Sequence, residues 1–467
     1  MKILTPNSMK HRLLLCCLLP FVSLAAPTQP NLIFLMADDC TYTDLGVYGG
    51  QAFTPNLDRL ARQGMRFDNC WQTAPMCAPT RMNILTGTYP VKSGAYPNHS
   101  QVDPEIKSVF HFLKPVGYRI AMSGKTHISP RTVFDFEYYS VNKDPDFTVV
   151  RKFIRECQNT DTPFCLFLMS NHPHDPWDAG DPTRYPPDQL ELPPHWVDTP
   201  ETRDCYSRYL AEITEFDREV GQTMTLLDQE GLADDTALMV ASEQGSAFPF
   251  AKWTCYAEGL RSGMIVRWPG QIKPDATSQA MVEYSDILPT LLSIAAVEPT
   301  PSIQGKSFLP VLRGETNFHK NYTFGIHTST GIKCSTQPFG IRSVRDQRYS
   351  YIRNLHPNNR FQNVINNNPD AEYYPSWKMN AAQGNTKAAA KILRYEQRPA
   401  EELYDRKLDP LELNNLADLP EYTSKKEELS QQLDSWMRQQ GDQGCITEEN
   451  AAEHYATWYR EKLGLPD

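Results

Sequence analysis

Four short apolar runs along the chain end abruptly in polar residues. They are Asn31–Met36 into Asp38–Asp39, Phe164–Met169 into Asn171–His174, Thr236–Val240 into Glu243–Gln244, and Met264–Arg267 into Trp268–Pro269–Gly270. Unbroken apolar runs of this length fit strands covered on both faces, as in a parallel sheet. Helical patterns lie between them. Thr54–Gly64 reads as a helix with Thr54 as N-cap, Pro55 at its first position and Gly64 as its stop. Tyr206, Leu210, Ile213, Phe216 and Val220 recur at helical spacing and predict a helix that runs to about Gly231. Strands alternating with helices predict a doubly wound α/β domain. Ligands bind such sheets beyond the carboxyl ends of the strands, and three of the four runs deliver carboxylates, carboxamides or histidines there.

The texture changes after about Gly314. Gly340–Asn354 alternates as antiparallel strands do, and Ser424–Met437 has the spacing of one amphipathic helix. The expected organisation is a large α/β domain over 26–314 and a smaller subdomain over 315–467, with a small antiparallel sheet and a helix. At the other end, Lys10, His11 and Arg12 precede an apolar run, Leu13 to Leu24, too short to span a bilayer. Ser23, Leu24 and Ala25 form a small-x-small cleavage pattern, so 1–25 reads as a signal peptide. No later run is apolar and long enough to span, and the expected destination is the periplasm or the outside of the cell, with a bacterial source preferred and the lysosome the destination in a eukaryote.

Composition narrows the class. Aromatic residues are 11% of the chain, too many for a disordered polymer, and 37 prolines imply long, fixed connections. A net charge of −10 argues against nucleic acid as a partner. Of eleven cysteines, Cys16 and Cys17 lie in the signal segment; the nine that remain are odd in number and contain no CxxC pair, which disfavours structural zinc.

The sharpest local feature is Cys77–Ala78–Pro79–Thr80–Arg81, followed by Leu85–Thr86–Gly87–Thr88–Tyr89–Pro90. Pro79 suits a first helical position and Gly87 a stop, predicting a two-turn helix just after Cys77. Residue 77 then lies at the positive helix end, where anions bind, with Arg81 one turn on along the same face. On spacing alone, an ordinary cysteine before a short helix fits equally well.

These residues resemble the signature of the type I sulfatases. Further landmarks follow in the family's order: Asp38–Asp39, Gly124–Lys125–Thr126–His127, Pro173–His174–Asp175–Pro176, Ser242–Glu243–Gln244–Gly245, Lys252 with Glu258–Gly259–Leu260–Arg261, and Glu402–Leu403–Tyr404–Asp405. The resemblance implies an alkaline-phosphatase-like sulfatase fold, an α/β architecture with a large, mixed, mostly parallel sheet flanked by helices and a smaller C-terminal α+β subdomain. It implies that a formylglycine-generating maturation enzyme converts Cys77 to 3-oxoalanine (formylglycine). It also implies one Ca2+ held by Asp38, Asp39, Glu243, Gln244 and residue 77, and hard oxygen donors of this kind suit calcium. Arg81, Lys125 and Lys252 would offset sulfate charge. In the implied route a hydroxyl of hydrated formylglycine attacks sulfur, and His174, with Lys252 nearby, protonates the departing atom. His127 then takes a proton from the second hydroxyl to expel sulfate. Two positions depart from the family pattern: Glu243–Gln244 replaces a shorter Asp–Asn or Asp–His pair, and Thr80 stands where serine or alanine is more usual.

Patches at Gly124–Phe136, at Ile341–Val344, at Tyr351–Leu355 and at Leu403–Arg406 resemble the N-sulfoglucosamine sulfohydrolase (heparan N-sulfatase) branch. The implied substrate is a sulfated glycosaminoglycan oligosaccharide or monosaccharide, cleaved at the N-sulfate of glucosamine. The alternatives are a glycan O-sulfatase acting at 6-O or 3-O, a phosphoryl-transfer hydrolase of the same superfamily, and a non-catalytic glycan-binding protein. His99, His172, His327, Arg353 and His356 are the candidate sugar contacts.

Overall fold

The computed structural model describes Met1 and residues 29–139, 143–369 and 371–465. Beyond Met1, the expected signal peptide lies outside the described residues. Nine strands form the large sheet: β1 (Asn31–Met36), β2 (Met65–Trp71), β3 (Arg119–Gly124), β4 (Glu137–Tyr138), β5 (Phe164–Met169), β6 (Thr236–Ala241), β7 (Arg261–Arg267), β8 (Ala276–Ser278) and β9 (Val282–Glu283). Their order is β4-β3-β5-β1-β6-β7-β2-β8, with β9 also paired to β2. Every described pairing is parallel except those of β7, which runs antiparallel to both β6 and β2. This corrects the expectation of a fourth parallel strand. A buried run carries no mark of direction, and the catalytic edge receives the start of β7, while its Trp268–Pro269–Gly270 end lies away from it.

The central strands are apolar at every position because each face supports a separate core. Ile33 and Leu35 of β1, with Leu166 and Leu168 of β5, pack on one side against α1 (Pro55–Gln63), α3 (Phe147–Asn159) and α4 (Pro200–Gln229). Leu32, Phe34 and Met36, with Phe167 of β5, pack on the other side against α2 (Cys77–Thr86) and α5 (Ile287–Ile294). This period-two division is what a doubly covered sheet demands.

Helix α1 begins as the sequence suggests but is capped differently. Thr54 is the N-cap residue, yet its side chain makes no capping hydrogen bond. The Asp217 carboxylate on α4 accepts instead from the amides of Asn56 (3.0 Å) and Leu57 (2.8 Å). A charge placed at a helix N-terminus from a neighbouring helix serves the same orphan donors.

A second sheet, β10 (Thr323–His327), β11 (Ile341–Arg345), β12 (Tyr349–Asn354) and β13 (Glu401–Asp405), is antiparallel throughout in that order. Helix α6 (Thr423–Gln440) covers it, with Trp436 stacked on Phe324 at 4.9 Å. Leu429, Leu433 and Trp436 join the same apolar cluster as Ile33 and Leu35, so this sheet shares the core of the large one. A last helix, α7 (Thr457–Leu463), lies near the chain end. No described helix is long and apolar enough to cross a membrane.

Candidate active site

Each chemical group enters the site from a strand end. The chain leaves β1 through Ala37, whose amide bonds Ala241 O, and turns at Asp38–Asp39, with Asp39 at a left-handed φ of 55°. It leaves β6 into Ser242–Glu243–Gln244. Gly245 follows because a Cβ there would fall 2.0 Å from the Glu258 carbonyl. It leaves β3 through Gly124, at φ +95° and with the Met169 carbonyl in the space a Cβ would fill, and so reaches Lys125. Lys252 lies on the excursion between β6 and β7.

Helix α2 starts at Cys77 itself, and all ten of its residues are buried. Thr80, the unusual residue of the motif, donates its hydroxyl to the Ala74 carbonyl at 2.7 Å and so ties down the turn before Cys77. Gly87 ends the helix in the left-handed conformation. Arg81 is completely buried, with Nε 3.0 Å from Glu243 Oε1 and Nη1 donating to the Lys125 carbonyl at 3.0 Å.

These elements bring nine of the expected residues into one pocket. The Cys77 Sγ lies 3.5 Å from Asp38 Oδ1 and 3.1 Å from Gln244 Nε2. Lys125 pairs with Asp38, and Lys252 with Asp39. His174 Nε2 is 3.4 Å from Asp39 Oδ2. Ligand atoms of Asp38, Asp39, Cys77 and Glu243 all lie within 4.8 Å of one another. His127 adjoins this group, and its Nε2 is 2.8 Å from His99 Nδ1.

The electrostatics follow from burial and cation placement. Burial pushes Asp38 up, but Lys125, a hydrogen bond with Glu243, His174 and Arg81 together hold it well below the usual carboxylate range. Glu243 goes the other way, raised well above its usual value by burial against the pull of Arg81, with Asp38 adding to the rise. Two carboxylates this close in a buried site disfavour each other's ionised form. Burial and Asp38 raise the Cys77 thiol well above its ordinary value, so it is a neutral group. Burial, then His99 and Lys125, push His127 well below the usual imidazole value, leaving it a neutral proton acceptor.

The donor set fits a cation. Gln244 Oε1 is buried with no hydrogen-bond partner among the described residues, while its Nε2 faces Asp39 Oδ1 at 2.6 Å. Rotating the amide exchanges the two atoms and presents an oxygen to the ligand cluster. A divalent ion would also let Asp38 and Glu243 ionise together.

Four of the candidate sugar contacts lie elsewhere. His172 Nδ1 is 3.3 Å from Glu212 Oε2 on α4, and its Nε2 is 3.7 Å from Asp144. It braces the loop that carries His174. His327 has no exposed surface and packs against Phe361 in the core. Arg353 reaches Asp434 at 2.6 Å and Ser430 at 2.9 Å, tying α6 to β12. The His356 ring accepts the Gly340 amide at 3.3 Å. Residue type nominated them, and long-range packing claimed them. His99 alone of the five touches the site. Conversely, a cavity of about 510 Å³ beside Lys125 and His127 is lined by Arg131, Lys143, Asn171 and Trp458. Sequence reading placed Asn171 at the strand edge and Arg131 within the Gly124–Phe136 patch but missed Lys143 and Trp458, because nothing local to them signals a contact across the fold. All nine described cysteines are free thiols, seven of them buried, so none of those left after Cys77 is paired.

Comparison with known proteins agrees with this geometry. The Sulfatase family model matches residues 30–297, and the model for the C-terminal part of N-sulphoglucosamine sulphohydrolase matches 245–372. The chain is 33% identical over 436 residues to an ulvan-active sulfatase of Formosa agariphila, covering 90% of this chain and 82% of that protein. It is 28% identical over 476 residues to N-sulphoglucosamine sulphohydrolase of Homo sapiens, covering 90% and 92%. The fold matches the solved structure of BT4656 in complex with D-glucosamine-2-N,6-O-disulfate, with a TM-score of 0.65 at 22% identity over 89% of this chain and 99% of that one.

Proposed function

The chain belongs to the sulfatase family, and from that premise we propose that it removes the N-sulfate of glucosamine from heparan-type fragments. The observation that carries the proposal is one buried pocket holding Cys77, Arg81, Lys125, Lys252 and the Asp38–Asp39–Glu243–Gln244 donors, with His174 and His127 beside it. Residue 77 as formylglycine would supply a hydroxyl nucleophile when hydrated, whereas the buried neutral thiol is a weak one. Asp38, Asp39, Glu243 and Gln244 would hold calcium, which when bound supplies positive charge to a sulfate oxygen.

The remaining work falls to this chain's own side chains. Lys125, Lys252 and Arg81 surround the anion with fixed positive charge in a water-poor pocket, where such charge is most effective. His174, 3.4 Å from the Asp39 oxygen that also pairs with Lys252, delivers a proton to the departing nitrogen or oxygen. His127, kept neutral, accepts the proton released when the enzyme-bound sulfate leaves. Residues 1–25 make the periplasm or the outside of the cell the proposed compartment.

The match to the N-sulphoglucosamine sulphohydrolase C-terminal model supports the N-sulfate reading. An O-sulfate reading has its own support, because the chain is also 26% identical over 533 residues to an N-acetylglucosamine-6-O-sulfatase of Bacteroides thetaiotaomicron. The discriminating experiment is sulfate release by matured protein from glucosamine N-sulfate, its 6-O- and 3-O-sulfates, and galactosamine sulfates. Release from the N-sulfate is expected. Exclusive O-desulfation overturns the N-sulfate assignment, and no release from any saccharide overturns the glycan reading.

A further inference from the structure

The cavity lined by Lys125 and His127 also presents side chains that the reaction itself does not use. In a chain of net charge −10, its lining includes Lys125, Arg131 and Lys143 and no carboxylate. Lys125 is already paired with Asp38. Arg131 and Lys143 form no ion pair among the described residues, and the Arg131 guanidinium lies over the Tyr138 ring at 4.5 Å.

Trp458 of α7 lines the same mouth and is 44% exposed. Its exposure is not looseness. The Ala456 amide bonds His99 O at 2.9 Å, the Gln101 amide bonds His454 O at 3.0 Å, and Ser100 bridges Tyr455. The indole meets the His99 ring edge-on at 5.6 Å and the Tyr459 ring at 5.4 Å. A large aromatic ring is thus fixed at the rim of the catalytic cavity with one side left open, the arrangement of a ligand platform.

We infer that the last helix of the chain completes the substrate site: a pyranose ring stacks on Trp458, and Arg131 and Lys143 hold a second anionic group of the substrate besides the sulfate being removed. This rests on the glycan reading above. It predicts a substrate with a further sulfate or a carboxylate on the same ring or the adjoining one.

The test uses full-length matured enzyme on monosulfated glucosamines, glucosamine N,6-disulfate, a sulfated disaccharide containing a uronate, and a small aryl sulfate. Wild type is expected to favour the dianionic saccharides by about tenfold in kcat/KM, a preference that shrinks with salt. R131Q/K143Q should remove that preference. Trp458→Ala should raise KM for saccharides by about tenfold with little loss of kcat, and Trp458→Phe should restore most of it. A wild type indifferent to the second anionic group, a preference that survives R131Q/K143Q, or a Trp458→Ala defect confined to kcat overturns the inference. Cleavage of the aryl sulfate with no saccharide cleaved overturns the glycan reading itself.

Discussion

His99 Nδ1 lies 2.8 Å from His127 Nε2, so one imidazole donates to the other and a single proton lies between them. His127 Nδ1 is buried and without a protein partner, which leaves it as the nitrogen available for proton transfer. His99→Ala frees the ring to turn. Loss of about tenfold in kcat, with KM little changed, is expected from steady-state sulfate release. A KM effect alone would assign His99 to the substrate instead.

The same pair makes stability pH-dependent. Burial, then Lys462 and Lys252, push His99 down to about 4 from 6.5, so the fold holds it neutral. The unfolded chain binds this proton below 6.5 and the fold does not until about 4. Its contribution therefore opposes folding progressively as pH falls through that window, by up to about 3 kcal/mol. In urea titrations from pH 7 to pH 4, the stability advantage of wild type over His99→Gln should shrink by that order. A constant gap would remove His99 as the source.

Asp217 caps α1 from α4, whereas the Thr54 hydroxyl is buried without a partner. Asp217→Ala should cost about 2 kcal/mol, because it strands charged-acceptor hydrogen bonds at a helix start. Thr54→Val should be neutral or slightly stabilising. Chemical denaturation of both variants ranks the two residues, and the reverse ranking would return the cap to Thr54.

Glu243 spans to Arg81 at 3.0 Å, and Gln244 reaches Asp39 and Cys77. Shortening either to Asp or Asn withdraws an oxygen from the donor cluster. Calcium titration calorimetry of Glu243→Asp and Gln244→Asn should give affinities lower by about tenfold or more. Wild-type affinity in both would place the ion elsewhere.

Arg353 ties β12 to α6 through Asp434 and Ser430. Arg353→Ala should lower the melting temperature while leaving KM for saccharides near wild type. A raised KM at unchanged melting temperature would restore it as a sugar contact.

How far the sequence could be read depended on the range of the interaction. β1, β5 and β6 were legible because burial on both faces leaves an unbroken apolar run. Asp38 and Glu243 were legible because each follows such a run, whereas Lys125 was legible only through the Gly124–Lys125–Thr126–His127 motif. The direction of β7 was not, since a seven-residue buried strand reads the same either way. The cap on α1, the burial of His327 and the engagement of Arg353 depend on partners far along the chain. Trp458 escaped notice for the same reason: the Ser100–Tyr455 bridge that brings its helix to the site joins distant residues.

Cys77 is 3% exposed and begins a helix with no exposed residue. If residue 77 is converted to formylglycine as proposed above, the modifying enzyme would have to reach a side chain that the folded chain covers. On that proposal maturation and folding would be rivals in time. A chain that closed over α2 first would be sealed with an unmodified thiol, native in shape and chemically idle. The active fraction of a preparation would then be set by a race between two rates, and a variant that folds faster would be better ordered yet less often active.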